Sequence, residues 1–422
     1  MAGLNETASA ERLHISFFGM RNAGKSSLVN AITNQELSIV SDVKGTTTDP
    51  VKKSMEILPL GPVVIIDTPG IDDEGELGEL RIKKAISVLN KTDVAILVVD
   101  AGLNGNHIGE KDLLSNNDLT TLDIGDTGRK LIKEFADRDI QYIIAYNKCD
   151  IIDNYKNIKL KNNEIFVSAT NKINIDEIKD MISKVNISSF QELSLVADFV
   201  KKDDIVILVM PQDGSAPKGR IILPQVQMIR DLLDNRAIII SVQTEELSNA
   251  LKSLSKDPAL VITDSQVFKE VDEIVPKHIK ITSFSILLAK YKGLLDSAVR
   301  GVSHIKEITE NDKVLMVEGC THHRQCEDIG TVKIPNLLKK KLGFEVKFDT
   351  CSGAEMKEDL SEYKMIIHCG GCMLTEREVK YRVKVADKKQ IPMTNYGILI
   401  AYLQGILYRS LEIMPDLQKY AV

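Results

Sequence analysis

The residues whose types and spacing most clearly indicate a chemical role form a phosphate-binding pattern near the N-terminus. The pattern GxxxxGKS contains Gly19, Asn22, Ala23, Gly24, Lys25 and Ser26, and Ser27 follows it. Its glycines allow backbone N–H groups to surround phosphates at a helix N-terminus, its lysine reaches the β- and γ-phosphates, and its serine hydroxyl holds Mg²⁺. An apolar run at 15–18 before it and a helical pattern at 27–33 after it predict the strand, loop and helix that such a site requires.

Two later motifs extend this site toward catalysis and base recognition. Asp67 and Gly70 belong to an Asp-Thr-Pro-Gly segment after the apolar run 63–66. There the carboxylate can hold the Mg²⁺ shell, and the glycine N–H can meet the γ-phosphate. Asn147, Lys148 and Asp150 follow the run 141–146, and a carboxylate at this position can accept both N1–H and the 2-amino group of guanine. Adenine offers no such pair of donors.

A fourth segment completes the nucleotide prediction. Ser168 and Ala169 follow the run 165–167, where backbone groups can cover the guanine O6. Four ordered matches at strand ends predict GTP/GDP binding with Mg²⁺ and hydrolysis of GTP. Lys25, Asp67 and Gly70 are the predicted catalytic residues, and we interpret Cys149, inside the guanine motif, as a small filler side chain.

A second constellation lies in the last quarter of the chain, which holds five of the six cysteines. The buried-strand pattern at 313–319 ends at Cys320, and the pattern at 363–367 ends in His368, Cys369 and, two glycines later, Cys372. Parallel strands share one carboxyl edge, so these three thiols can converge. Three thiolates suit a 4Fe-4S cluster whose last iron has another ligand, and Cys₃His suits zinc equally well. Candidates for the fourth ligand, all close to Cys320, are His322, His323, Cys326 and Glu327. Cys351 is expected to be a bystander.

The elements that must position these residues predict an α/β fold in three domains. We expect a P-loop GTPase domain at 1–187, a small α/β domain at 192–272 and a C-terminal α/β cluster-binding domain at 273–422. The middle domain has strand patterns at 205–209, 237–240 and 260–262 but no clustered catalytic or metal-binding set, so dimerisation is its hypothetical role. A polar stretch at 103–130 is interpreted as an irregular insertion, and 398–409 as core.

Length and composition agree with several globular domains. The 422 residues exceed what one hydrophobic core supports, and 43% hydrophobic with 27% charged residues is a globular composition. A formal net charge of −6 argues against a general nucleic-acid coat protein, and we expect no DNA partner. No run approaches the ~20 apolar residues of a membrane span. These features predict a cytoplasmic protein without membrane association.

The nucleotide motifs resemble those of the TrmE/Era branch of small GTPases. The resemblance rests on their order, on Asn22 inside the phosphate loop, and on the Gly-Thr-Thr-Thr-Asp segment at 45–49. It implies that Thr47 is a catalytic threonine that binds Mg²⁺ and the γ-phosphate, and that Asn22 is a ligand for K⁺. Ile71 stands where Ras-like enzymes carry a water-orienting glutamine. We therefore expect slow intrinsic hydrolysis that K⁺ or dimerisation accelerates.

Cys-Thr-His at 320–322 and His-Cys-Gly-Gly-Cys at 368–372, behind a TrmE-like domain, resemble the HydF family of maturation GTPases for FeFe hydrogenases. The resemblance implies a homodimer in which Cys320, Cys369 and Cys372 hold a 4Fe-4S cluster. The fourth ligand is then Glu327, which we favour as an exchangeable oxygen donor, or His322. The family's implied role is to assemble and deliver a transient di-iron precursor, with radical-enzyme maturases and apo-FeFe-hydrogenase as partners.

Two other functions fit parts of the sequence. A tRNA- or ribosome-associated GTPase with a structural zinc would use the same GTPase domain. A redox enzyme would use the cluster for electron transfer, but a closed electron-transfer site usually has four cysteines, and only three are well placed here.

Overall fold

A computed structural model describes residues 9–34, 50–71, 76–102, 122–152, 155–185, 194–212, 221–319, 328–353, 356–357 and 359–421. The chain divides into two compact units, residues 1–191 and 192–422, called unit 1 and unit 2 below. Each unit consists of predominantly parallel β-sheet covered by helices. The predicted α/β class is confirmed.

Unit 1 contains one six-stranded sheet with the strand order β2-β3-β1-β4-β5-β6. Among the described strands of this sheet, only β2, which pairs with β3, is antiparallel to its neighbour. The strands are β1 (Leu13–Phe18), β2 (Val51–Ile57), β3 (Gly61–Asp67), β4 (Val94–Asp100), β5 (Gln141–Asn147) and β6 (Glu164–Phe166). The helices are α1 (Lys25–Thr33), α2 (Glu76–Leu89), α3 (Gly125–Asp137) and α4 (Ile175–Lys184).

The central strands of unit 1 are buried and mostly apolar because both faces of the sheet are covered. Successive side chains point to opposite faces, so Phe17 packs with Leu28 and Ile178 while Phe18 packs on the other face with Phe135. The carboxyl ends of β1, β3 and β5 therefore lie at one edge, where each is followed by a nucleotide motif.

Part of the expected insertion at 103–130 is regular structure. The helix α3 begins at Gly125 and buries Leu131 and Phe135 against the sheet, so the prediction of an irregular segment is wrong from residue 125 onward. The sequence did not indicate this helix because polar residues dominate it and only one of its faces is apolar. Residues 103–121 lie outside the described part of the chain.

The first half of unit 2 is a parallel sheet with the order β10-β9-β7-β8. Its strands are β7 (Ile205–Val209), β8 (Ile238–Val242), β9 (Leu260–Thr263) and β10 (Ile281–Ser283), with helices α5 (Leu223–Asp234), α6 (Leu247–Ser253), α7 (Phe268–Ile274), α8 (Phe284–Tyr291) and α9 (Leu295–Val302). Residue 272, where we expected this domain to end, lies inside α7. The sheet continues beyond it, since β10 pairs with β9.

The second half of unit 2 is another parallel sheet, ordered β12-β11-β13-β14. Its strands are β11 (Lys313–Glu318), β12 (Lys347–Ser352), β13 (Tyr363–His368) and β14 (Met393–Asn395). The helices are α10 (Ile334–Leu342), α11 (Glu376–Lys388), α12 (Tyr396–Leu403), α13 (Leu407–Ser410) and α14 (Pro415–Gln418). Ile398, Leu399, Ile400 and Ala401 are buried, which confirms the core prediction for this segment.

The two sheets of unit 2 are built in the same order. In both, the first strand lies between the second and third, and the fourth strand leads directly into a helix. Ser283 caps α8 by accepting a hydrogen bond from the Ile286 N–H, and Asn395 caps α12 in the same way. The two helices contact each other closely, since a Cβ on Gly397 of α12 would lie 2.0 Å from the Ser285 hydroxyl of α8.

Within the described residues, every helix is too short or too polar to cross a membrane.

Candidate nucleotide and metal sites

The phosphate loop of unit 1 connects β1 to α1. Gly24 adopts a left-handed conformation with φ of 85° at the N-cap of α1, and Asn22 has φ of 62°. A Cβ at Gly24 would lie 2.1 Å from the Asn147 side-chain nitrogen, so the close approach of the two loops requires glycine there. Lys25 is buried, and its Nζ donates to the carbonyls of Gly19 (3.1 Å) and Met20 (2.8 Å). The loop is thereby folded back over its own lysine.

Oxygen donors suited to Mg²⁺ meet beside this loop. The Ser26 hydroxyl donates to Asp67 Oδ2 at 2.5 Å, which joins the start of α1 to the end of β3. A hydroxyl and a carboxylate are ligands that Mg²⁺ prefers, so these two residues fit the ion that the motif predicts. Lys53, on β2, donates to Asn30 and Thr33 of α1 and lies close enough to Asp67 to interact electrostatically.

Asn147 joins three predicted nucleotide motifs. Its Nδ2 donates to the Ala23 carbonyl in the phosphate loop at 2.9 Å, and its Oδ1 accepts a hydrogen bond from the Ala169 N–H at 3.1 Å. Asn147 is buried, so both hydrogen bonds are shielded from water. The side chain thus holds the phosphate and guanine segments in one arrangement.

The predicted guanine segment leaves Asp150, its predicted specificity residue, accessible. Asp150 is exposed, whereas Cys149 is fully buried in the core beside α3, as expected for a filler side chain. Burial raises the pKa of the Cys149 thiol. Lys148 forms an ion pair with the buried Asp100 at the end of β4, a contact that the sequence reasoning missed. Ser168 accepts a hydrogen bond from the Asn171 N–H, which shapes the turn that contains Ala169.

Gly70 approaches the phosphate loop directly. A Cβ there would lie 2.8 Å from the Cα of Arg21, and the next residue, Ile71, donates its N–H to the Gly19 carbonyl at 3.3 Å. Ile71 is buried in the core, where its side chain is an apolar packing residue. Thr47 and the rest of its segment lie outside the described residues.

The candidate metal site of unit 2 lies at a change in strand order. The connection after β11 leads to β12 on one side, whereas the connection after β13 leads to β14 on the other, so the strand order changes direction between β11 and β13. Ligands of open α/β sheets bind at the carboxyl ends of such strands. Val317 of β11 is paired with His368 of β13, which places the residues before Cys320 beside Cys369. Cys351 is in the same register row, on β12.

The turn after β13 holds the sulfur of Cys369 with backbone donors. Cys369 Sγ accepts hydrogen bonds from the N–H groups of Gly319 (3.1 Å) and Gly371 (3.3 Å). Gly371 has φ of 66°, and such a conformation favours glycine. N–H groups directed at a cysteine sulfur are typical of iron–sulfur sites, where they stabilise negative charge on the ligand. The donor set therefore fits an iron–sulfur cluster.

His368 is held in one tautomer by its neighbours. Its Nε2 lies 3.0 Å from Arg382 NH1, and its Nδ1 lies 2.7 Å from the Cys369 carbonyl. Arginine can only donate, so Nε2 accepts and Nδ1 carries the proton that the carbonyl accepts. Burial, together with the Arg382 charge, lowers the pKa of His368 to about 3. Both ring nitrogens of His368 are engaged in hydrogen bonds, which fix the imidazole beside the turn.

Cys320, His322, His323, Cys326 and Glu327 lie outside the described residues, and within the described part of the chain no three His, Cys, Asp or Glu side chains form a metal-binding group. Cys369 and Cys372 are both half-buried. Burial raises the pKa of the Cys372 thiol, and the charge of Lys292 opposes this rise.

Three residues near the turn were missed by sequence reasoning. Arg382 and Lys292 are buried basic residues, and Glu318 is a buried carboxylate that accepts a hydrogen bond from the Tyr396 hydroxyl at 3.3 Å. The sequence offered one signal, because Arg382 occupies the same helical stripe as the apolar residues Val379 and Ala386. A charged residue on the buried face of a helix is a candidate for a specific electrostatic role.

Comparison with known proteins assigns a family to each part of the chain. Residues 14–148 match the 50S ribosome-binding GTPase model, residues 195–293 match the hydrogen maturase F dimerization domain, and residues 296–413 match the hydrogen maturase F tetramerization domain. The last two models together match just over half of the chain. The chain belongs to the hydrogen maturase F family. The HydF resemblance seen in the sequence is thereby confirmed, with a GTPase domain preceding the two family-specific domains.

GTPases are among the other proteins similar to this family member. The tRNA modification GTPase MnmE of Francisella tularensis subsp. novicida (strain U112) is 32% identical over 188 residues, covering 43% of this chain and 38% of that protein. GTPase Der of Mycoplasmopsis agalactiae is 29% identical over 220 residues, covering 47% and 46%. The chain thus spans less than half the length of either relative. A single-substitution variant of Aquifex aeolicus Era, bound to GDP and AlF₄⁻, covers 40% of this chain and 56% of its own at 24% identity, with a TM-score of 0.33.

Proposed function

We propose that this protein hydrolyses GTP in unit 1 and carries an iron–sulfur cluster in unit 2, as a scaffold for the di-iron precursor of the FeFe-hydrogenase active site. The observation that carries the cluster proposal is the Cys369 sulfur, which accepts two backbone N–H groups at the point where the strand order changes. Cys320, Cys369 and Cys372 would hold a 4Fe-4S cluster, with Glu327 or His322 as the fourth ligand. Radical-enzyme maturases and apo-hydrogenase would be the partners.

GTP hydrolysis would use the residues that meet at the edge of the unit 1 sheet. Lys25 would contact the β- and γ-phosphates, Ser26 and Asp67 would hold Mg²⁺, and Thr47 with Gly70 would sense the γ-phosphate. Asp150 would select guanine. The support for this arrangement is the contact of Ser26 with Asp67 and the bridge that Asn147 makes between the phosphate and guanine loops.

The cluster is tested by anaerobic purification of the full chain, followed by iron, sulfide and zinc analysis and by EPR of the reduced protein. We expect about four iron and four sulfide ions per chain and a signal that Cys369→Ala abolishes. Cys149→Ala is the matched control, because Cys149 is buried in the core of unit 1 and should leave the iron content unchanged.

About one zinc per chain without sulfide would contradict the scaffold proposal. That result would favour a GTPase with a structural zinc, and the similarity to tRNA modification GTPases would then direct the search for a partner to RNA. Bound RNA in purified material would identify this second function.

Potassium stimulation is a separate proposal about the same GTPase site. Asn22 would supply a K⁺ ligand from the phosphate loop, where its left-handed backbone turns the chain. We expect faster hydrolysis in K⁺ than in Na⁺ buffer, and we expect Asn22→Ala to remove the difference. Equal rates of the unmodified protein in the two buffers would contradict the proposal.

A further inference from the structure

Two buried cations flank the turn that contains Cys369 and Cys372. Arg382, on α11, is only 2% exposed and donates to His368 Nε2 at 3.0 Å and to the Gly353 carbonyl at 2.6 Å. Lys292, directly after α8, is 1% exposed and donates to the Leu374 carbonyl at 2.9 Å. Both acceptors of Arg382 are neutral.

Burying a cation is unfavourable unless negative charge compensates it. Within the described residues, no carboxylate oxygen lies within the 4.0 Å of an ion pair with Arg382, and Glu378 acts on it only at longer range. The other groups that attract the guanidinium are the sulfurs of Cys369 and Cys351. Burial lowers the pKa of Arg382, but an arginine keeps its proton in proteins. Its charge is therefore placed to act on sulfur ligands.

Lys292 acts on the other cysteine of the turn. Its charge favours the thiolate of Cys372, and Cys372 packs against the core of the first sheet, which includes Phe284 and Leu288 of α8. Lys292 lies in the segment matched by the dimerization model, whereas Arg382 lies in the segment matched by the tetramerization model. Each of the two family-specific segments thus contributes one cation to this site.

We propose that Arg382 and Lys292 are the buried counter-charges of an anionic metal–sulfur group bound by Cys369 and Cys372. The proposal rests on the proposed function, in which these cysteines hold an iron–sulfur cluster. Thiolate ligands make such a cluster anionic, and reduction adds another electron. A fixed positive charge in a buried site stabilises the reduced form more than the oxidised form. The two cations then raise the reduction potential of the cluster and favour the binding of an anionic metal–sulfur group.

The test compares variants that remove the charge with variants that keep it. Arg382→Gln and Lys292→Met remove the charge, whereas Arg382→Lys and Lys292→Arg keep it. Each full-length protein is loaded with iron and sulfide, and its reduction potential is measured by EPR-monitored titration. We expect each charge-removing variant to lower the reduction potential by about 59 mV. For one electron, this corresponds to a shift of the reduction equilibrium toward the oxidised form on the order of tenfold. The charge-keeping variants should remain near the unmodified protein.

Lys384→Met is the matched control, because Lys384 is an exposed cation on the same helix and solvent screens its charge. An unchanged potential in loaded Arg382→Gln and Lys292→Met would overturn the inference and leave the cluster proposal intact. If Arg382→Gln and Lys292→Met fail to bind iron and sulfide, binding by Arg382→Lys and Lys292→Arg supports the inference. If all four variants fail to bind iron and sulfide, the inference is overturned, because the site then depends on the shape of the two side chains and not on their charge. Absence of iron and sulfide from the unmodified protein would instead reject the proposed function.

Discussion

Asn147 shows how one side chain can organise a site that several loops share. Its amide donates to Ala23 and accepts from Ala169, so the phosphate loop and the guanine loops depend on one buried group. Losing a buried hydrogen bond leaves its partner unsatisfied, at a cost of about 1–3 kcal/mol. The placement of the nucleotide loops should therefore be sensitive to this residue even before the nucleotide itself is considered.

We expect Asn147→Ala to weaken GDP binding by roughly tenfold to a hundredfold, because both loops lose their common partner. Fluorescence titration with a labelled GDP measures the effect. Asn171→Ala is the control, since Asn171 is exposed and contributes only its backbone N–H to Ser168. Equal losses of affinity in the two variants would contradict the bridging role.

Sequence reasoning worked best for residues whose chemistry is contained in a short motif. Lys25, Ser26 and Cys369 were identified because their neighbours in the chain also define their surroundings. Arg382 and Lys292 were missed because their roles depend on contacts with residues far along the chain, Gly353 and Leu374. His368 was recognised as part of a motif, but only its two hydrogen bonds show that it positions the turn.

The strand β8 lies at one edge of the first sheet of unit 2. Ile238 on this strand is 48% exposed, and the adjoining helix α5 exposes Val226 (44%) and Leu233 (57%). Apolar side chains beside an open strand edge favour association. The segment matches a dimerization model, which supports a second copy of this chain as the occupant.

Ile238→Lys should therefore shift the protein toward smaller assemblies, because a charge on the strand would be buried by the partner. Light scattering after size-exclusion chromatography measures the mass. Leu58→Lys is the control, since Leu58 is 78% exposed in a turn of unit 1. An unchanged mass for Ile238→Lys would place the interface on another surface.

The presence of strands was predicted more reliably than their first and last residues. The strand β12 extends to Ser352, which brings Cys351, expected to be a bystander, into the sheet. Its exposed and half-buried pattern resembles that of a surface segment, because an edge strand has a neighbour on only one side. The helix α3 was missed for a related reason: its polar face dominates its composition.

At the scale of the whole molecule, the two units have separate hydrophobic cores. Every described residue that we assign to nucleotide binding lies in unit 1. A ligand that binds only the folded form stabilises the unit to which it binds by about 2.7 kcal/mol at one hundred times its dissociation constant.

We expect calorimetry to show two unfolding transitions, of which GDP with Mg²⁺ raises only one. Repeating the scan with Lys25→Ala provides the control, because loss of the phosphate contact should abolish the shift. A single transition that moves as a whole on GDP addition would contradict independent unfolding of the two units.

The matching strand order of the two sheets in unit 2 has a consequence for the proposed cluster site. At the positions where the second sheet has Glu318 and His368 before its cysteines, the first sheet ends in Val209 and Thr263 and has no cysteine after either strand. The same architecture therefore forms in one half of the unit without any thiol. On the proposed function, we therefore expect folding and cluster loading to be separable steps, so that a chain that folds first would present an assembled site to an incoming cluster.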